Sequence, residues 1–171
     1  VDGVVAISEP VAAWCRRRTH RPVTVIGVGV SVGDDPPLPP HAGDLVHLGA
    51  MDWPPNREGV SWFAQEVWPQ SRRRHPGLEF HLAGRRSEPF GKKISGPGVV
   101  IDGEIDSVEE YLAGRGLMVV PLLSGSGIRV KIVEGMALGK AIVATPCAIE
   151  GLGVEPGRHL LVAEDRRQWV E

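Results

Sequence analysis

Between residues 117 and 138 an apolar run of strand length meets a glycine-serine turn and then a helical pattern. Leu117 to Leu123 is broken only by Pro121, Ser124-Gly125-Ser126-Gly127 has almost no side-chain bulk, and Ile128, Ile132 and Met136 recur four apart. This succession predicts a buried strand feeding a helix with one apolar stripe. Gly139 stands where such a helix needs a left-handed residue to end, and Ala141–Ala144 reads as the next strand. A strand that enters a helix through glycines presents unpaired N–H groups at the sheet edge. Together with the helix dipole these attract an anion, typically a phosphate. Arg129 and Lys131 fall in the first turn, where the dipole favours acids. An external anion accounts for them; so do two solvated side chains on an ordinary turn.

The rest of the chain repeats the same alternation. Val4–Ile7 reads as a strand, Glu9–Arg18 as a helix capped by Ser8, and Val23–Ile26 as a second strand. Gly27-Val28-Gly29-Val30-Ser31-Val32-Gly33 resembles a dinucleotide fingerprint, but its third glycine is one place late and the prolines that follow cannot begin a helix. Residues 28–43 therefore read as an extended linker, and Asp34-Asp35 as solvated acids rather than metal ligands. Leu45–Ala50 is a strand. Val60, Phe63, Ala64, Val67 and Trp68 mark a helix with one buried face, kinked near Pro69 and running to about His75. Strands at Leu78–Ala83, Val99–Ile101 and Leu160–Ala163 and a helix at Val108–Ala113 complete the pattern. Repeated βα units predict a Rossmann-like three-layer α/β sandwich with a mainly parallel, doubly wound sheet. With strand order 3-2-1-4-5-6 counted from Leu45, the first and fourth strands are neighbours and their outgoing loops, Ala50–Glu58 and Leu122–Gly127, open the binding crevice.

Composition narrows the function. The 171 residues carry a net charge of −2, so no nucleic-acid footprint is visible. Arg16-Arg17-Arg18 and Arg72-Arg73-Arg74 suit helix C-termini. Cys15 and Cys147 lack metal spacing and read as free thiols of a reducing compartment, and no histidines form a ligand pair. No stretch is long enough to span a bilayer. The chain begins at Val1 in a strand pattern, without an initiator Met, and stops in a helical one at Glu171, so it reads as a fragment.

Residues 44–163 resemble the C-terminal, donor-binding half of a GT-B glycosyltransferase of the large retaining family 4, also called group 1. The resemblance rests on Pro121 through Thr145, above all Val133-Glu134-Gly135-Met136-Ala137-Leu138-Gly139-Lys140-Ala141-Ile142-Val143-Ala144-Thr145 against the usual Glu-Ala-Met-Ala-x-Gly-x-Pro-Val-Val-Ala-Thr. Asp52-Trp53-Pro54-Pro55-Asn56, Ala83-Gly84-Arg85 and Glu150-Gly151-Leu152 support it. Residues 1–33 then resemble the end of the N-terminal domain and the hinge, 34–43 a linker, and 44–171 the donor domain, truncated at its end. The resemblance implies a nucleotide-diphosphate sugar as donor and neither metal nor cofactor. It also implies an acceptor bound by an N-terminal domain absent from this chain. The location implied is cytoplasmic or peripheral to the inner membrane face, any membrane contact being made by that absent domain.

Carried over residue by residue, Glu134, the second glutamate of the family's Glu-x7-Glu motif, would hold the ribose hydroxyls. The plainer alternative is a surface glutamate paired with Lys131. Ser124, Gly125, Gly127 and Ile128 would bind sugar or diphosphate with Lys131. Gly49, Gly84 and Arg85 would lie along the donor, and Glu104 and Ile105 would meet the base. Three positions depart from the family. Ser126 stands where the first glutamate belongs, Ala50 where an arginine does, and Glu58 where a phosphate-binding lysine does. The usual clamp on the leaving diphosphate is thus missing. Either Arg129 and Lys131 replace it, with Ser126 and Arg129 in the catalytic centre, or the domain binds nucleotide without turnover; the preserved local charge balance favours replacement. A serine hydrolase built on Ser126 fails, because its turn needs glycine two residues earlier and position 124 is Ser124.

Overall fold

The computed structural model describes residues 1–32 and 44–171. Two parallel sheets form. The small one pairs β1 (Val4–Ala6) with β2 (Val23–Val25) through α1 (Glu9–Arg16). The large one contains β3 (Asp44–Leu48), β4 (Glu79–Ala83), β5 (Val99–Gly103), β6 (Leu117–Val120), β7 (Ala141–Ala144) and β8 (Leu161–Val162). Its order is β5-β4-β3-β6-β7-β8, all parallel, which is the doubly wound 3-2-1-4-5-6 arrangement expected from the βα alternation. Strands β3 and β6 are neighbours, with Leu45 beside Leu117 and Val46 beside Met118.

Period-two alternation distributes the core. Leu45, Phe80, Leu82 and Val119 face one layer, packed under α2 (Pro54–Trp62), a π-helical turn (Phe63–Val67), α3 (Trp68–Arg74) and α8 (Arg166–Val170). Val46, Met118, Val120 and Ile142 face the other, against α5 (Val108–Leu112), α6 (Val130–Ala137) and α7 (Pro146–Ile149). Gly59 lets α2 approach the sheet closely: a Cβ there would lie 2.2 Å from the Pro121 carbonyl oxygen.

Several boundaries differ from the sequence pattern for local reasons. The kink expected at Pro69 is the π-helical turn before it, since proline has no N–H for the carbonyl four residues back. The Pro121 strand stops at Val120. Helix α6 starts at Val130 rather than Ile128, because Gly127 (φ 91°) and Arg129 (ψ 84°) hold non-helical backbone. It ends as expected: Gly139 (φ 66°) donates to the Met136 carbonyl and Lys140 to that of Gly135. Ser8 occupies the N-cap of α1 without a side-chain capping bond. Short α4 (Ser87–Gly91) carries no sequence signal strong enough to be expected. Residues 28–32 have no regular structure, and a Cβ added at Gly27 or Gly29 would meet nothing within 4 Å, so neither glycine is required there by a close approach. The rest of the expected linker, including Asp34-Asp35, lies outside the described residues.

Candidate functional site

The outgoing loops of β3 and β6 meet at the point where strand order reverses. Ser124 donates to Glu58 Oε2 at 2.6 Å, joining the β6 loop to α2. Gly125 (φ 109°) has no room for a side chain, since a Cβ would stand 3.2–3.3 Å from Trp53, Pro55 and Arg129. Thr145 donates to the Leu122 carbonyl and caps α7 by accepting from the Ala148 amide, which fixes the base of the turn. The backbone N–H groups of Gly125, Ser126, Gly127 and Ile128 make no hydrogen bond among the described residues. The turn therefore presents free donors at the mouth of α6.

Arg129 does not reach outward from this turn. It is 5% exposed and curls back, Nη1 donating to the carbonyls of Ser126 (2.7 Å) and Gly127 (2.5 Å), while Nε is buried without a partner. Its guanidinium lies 5.5 Å from the centre of the Trp53 ring. Arg129 thus shapes the turn and gives it positive charge. Lys131 takes a different path. Its ammonium lies under the β3 loop, 3.0 Å from Asn56 Oδ1 and 3.4 Å from His47 Nε2. Burial and the nearby Arg129 lower its pKa to about 7. It is not paired with Glu134, so the ion pair of the plainer alternative does not form.

Glu134 instead lines a cavity of about 380 Å³ with Ser31, Ser107, Val108 and Leu138, and its carboxylate has no hydrogen-bond partner among the described residues. Gly49 donates to the Ala83 carbonyl and Met51 to that of Arg85, which binds the β3 loop to the β4 loop. Gly84 (φ 119°) would place a Cβ 2.4 Å from the Gly49 carbonyl oxygen, so this approach requires glycine at position 84. Exposed Arg85 pairs with Asp52 at 2.9 Å. Glu104 lines a separate cavity of about 210 Å³ with Arg86, Ser87 and Glu88; half-buried Ile105 follows it. Ser126 lines a third cavity, about 260 Å³, between the turn and α1, beside Val11, Trp14 and Glu150. Ile128 approaches Gly151 at its edge.

The fold thus joins Gly49, Ser124 to Arg129, and Lys131 at the switch point, with Gly84 and Arg85 on the next loop; Glu104 and Glu134 line different cavities. His47 and Asn56 are additions that sequence reasoning did not single out. A histidine inside an otherwise apolar central strand was the available signal for the first. Asp44, Glu79 and His81 form another group, with ligand atoms within 4.8 Å of one another. Arg115 already lies 3.3 Å from Asp44 and 3.1 Å from His81 Nε2, which makes this a cation-filled cluster.

Residues 42–171 match the family described as glycosyl transferases group 1. The chain belongs to this family. An uncharacterized 44.6 kDa protein of the cps region of Klebsiella pneumoniae is 25% identical over 134 residues, covering 73% of this chain and 34% of that protein. The chain thus spans about a third of the curated relative it matches. Among solved structures, Anabaena HepE in complex with UDP and glucose superposes with a TM-score of 0.72 at 15% identity, covering 99% of this chain and 51% of the other. An S. aureus TarM variant in complex with Fondaparinux, alpha-GlcNAc-glycerol and UDP gives 0.76 at 14%, covering 99% and 36%. Sucrose-phosphate synthase from Thermosynechococcus elongatus gives 0.70 at 22%, covering 99% and 47%. At such identities these likenesses establish the GT-B Rossmann-like fold of group 1 glycosyltransferases. No helix among the described residues is long and apolar enough to cross a membrane.

Proposed function

We propose that this chain is the donor-binding half of a retaining hexosyltransferase that moves a sugar from a nucleotide-diphosphate sugar to a glycan or lipid-linked acceptor. The observation that carries the reading is the row of free N–H groups from Gly125 to Ile128, set at the β3/β6 switch point three residues before Lys131. The transition state of sugar transfer develops positive charge on the sugar and negative charge on the leaving diphosphate. Preorganised N–H donors and a lysine stabilise the latter. Lys131 is the better replacement for the missing clamp, because the Arg129 guanidinium is turned onto its own turn. Glu134 supports a ribose site, since a carboxylate with no other partner accepts two hydroxyls. The reading calls for no metal or cofactor, for an acceptor held by a further N-terminal domain, and for a cytoplasmic enzyme.

Titration with nucleosides and nucleoside diphosphates tests the site. Glu134→Ala should weaken both ligands, because both carry ribose, by roughly tenfold, the worth of a charge-assisted hydrogen bond. An unchanged affinity for both removes the ribose assignment. A nucleotide-binding module without turnover is the second reading, favoured by the uncharged Ser126 at the family's glutamate position. Sugar transfer by the longer protein, absent from residues 1–171 alone, decides between the two.

A further inference from the structure

The crevice floor holds a basic side chain, Lys131, whose hydrogen-bond partners are both neutral, and both are fixed. His47 donates from Nδ1 to the Val119 carbonyl at 2.9 Å, so Nε2 turns its lone pair to Lys131. Asn56 donates from Nδ2 to the Ala50 carbonyl at 2.9 Å, so Oδ1 is the atom that meets the lysine. Gly49 roofs the group: a Cβ there would stand 2.6 Å from Nζ. Two acceptors satisfy an uncharged amine, which has two N–H groups and one lone pair. An ammonium has a third N–H, and that one has no partner among the described residues.

The surrounding charges do not supply a counter-ion. His47 is fully buried, and burial with the neighbouring Lys131 holds its pKa well below the usual value, so it stays neutral. Helix α2 contributes uncharged Asn56 and, further on, Glu58, which is engaged by Ser124. On its own helix Lys131 follows the cationic Arg129 and precedes Glu134, and it forms no ion pair among the described residues.

We propose that Lys131 binds a proton and a diphosphate oxygen together, with His47 and Asn56 as positioning residues that hold its amine at the crevice floor. A solvent proton adds to the amine lone pair, and the new N–H donates to a phosphate oxygen; no bond of the donor changes. This rests on the reading that a diphosphate occupies the crevice. The bound anion supplies the only missing partner, so the amine protonates as the ligand arrives.

Calorimetric titration of residues 1–171 with UDP and with inorganic pyrophosphate at about pH 8, in Tris and in HEPES, measures the linked protons. UDP is almost fully ionised there; pyrophosphate still keeps its last proton, so its own proton change is measured with Lys131→Arg and subtracted. The wild-type chain should take up more than about half a proton per ligand, and its affinity should fall by up to about tenfold per pH unit above 7. Lys131→Arg stays charged and should bind without uptake. Asn56→Asp pre-charges the lysine and should abolish uptake, which a purely structural role for Asn56 would not do. Binding by the wild type without proton uptake, or uptake that survives Lys131→Arg, overturns the proposal and leaves donor binding intact. Failure of UDP, GDP, ADP, dTDP and pyrophosphate alike to bind overturns the donor reading and this proposal with it.

Discussion

Two half-buried basic side chains lie near opposite ends of the strands of the same sheet, and their surroundings differ in one respect. Arg115, just before β6, sits among carboxylates: Asp44 at 3.3 Å and Asp102 at 3.9 Å. Asp102 also accepts from His81 Nδ1 at 2.9 Å and from the Tyr111 hydroxyl at 2.5 Å. Strands β3, β4 and β5 and helix α5 are thereby tied together, and the charge is balanced within the protein. Lys131, beyond the C-terminal end of β3, has Asn56 and His47 in place of carboxylates. A cation closed by its own acids is a structural tie; a cation given only neutral partners remains open to an external anion. The two sites should therefore respond to substitution in opposite ways.

The largest effect is expected at the closed site. Arg115→Leu removes the guanidinium shared by Asp44 and Asp102 and leaves only His81 between the two carboxylates. Removing one member of a buried ion pair costs about 3–5 kcal/mol. These side chains are 20–24% exposed, and solvent screening lowers the expected loss to about 2–3 kcal/mol. Chemical denaturation should show that loss while diphosphate affinity stays unchanged. A drop in affinity with no loss of stability would reverse the assignment of the two sites.

At the open site the signs should be exchanged. Lys131→Met removes a poorly solvated amine and keeps its stem, so stability should hold or rise. Diphosphate affinity should fall at least about tenfold, because a charge-assisted hydrogen bond contributes about 1.5–3 kcal/mol. A bare nucleoside should be much less affected. If the variant unfolds readily but still binds diphosphate as the wild type does, Lys131 is a second structural tie and the contrast disappears.

The sequence shows the fold more clearly than it shows either of these two sites. The βα alternation and the period-two strands are local patterns, and they carry strand order as far as the β3/β6 junction, because parallel crossovers leave few topologies. The turn from Ser124 to Gly127 was legible for the same reason: glycines between a strand and a helix have few other uses. What stayed hidden depends on side-chain direction across long separations. Arg129 and Lys131 look equivalent in the chain, yet the two-residue delay of α6 turns one onto its own carbonyls and sends the other beneath Gly49. His47 and Asn56 lie 84 and 75 residues from Lys131, and no spacing rule links them. Glu134 was identified through the family motif, but its separation from Glu104 into another cavity follows only from the placed helices.

The smallest expected effect is a pH dependence of stability that isolates the open site. Burial and Arg129 hold the folded pKa of Lys131 at about 7, below its ordinary value of 10.5. Between these values the unfolded chain binds more protons than the folded one, so this group makes stability rise with pH across that window and level off below it. Tyr111, whose pKa burial and the Asp102 hydrogen bond push upward, contributes with the opposite sign as the unfolded tyrosine begins to ionise at the top of this window, and the subtraction that follows cancels it. Lys140, whose pKa burial also lowers, contributes with the same sign as Lys131, and subtraction of a Lys131→Met profile cancels it. From about pH 7.5 to 9.5 the wild type should gain on the order of 1 kcal/mol relative to that variant, less than the full linkage value because the side chain is only half-buried. Saturating pyrophosphate should flatten the difference, since the anion keeps the ammonium charged in the folded state. Parallel profiles for wild type and variant, with and without pyrophosphate, would mean that Lys131 is charged throughout and that the open site is closed by a partner other than the ligand.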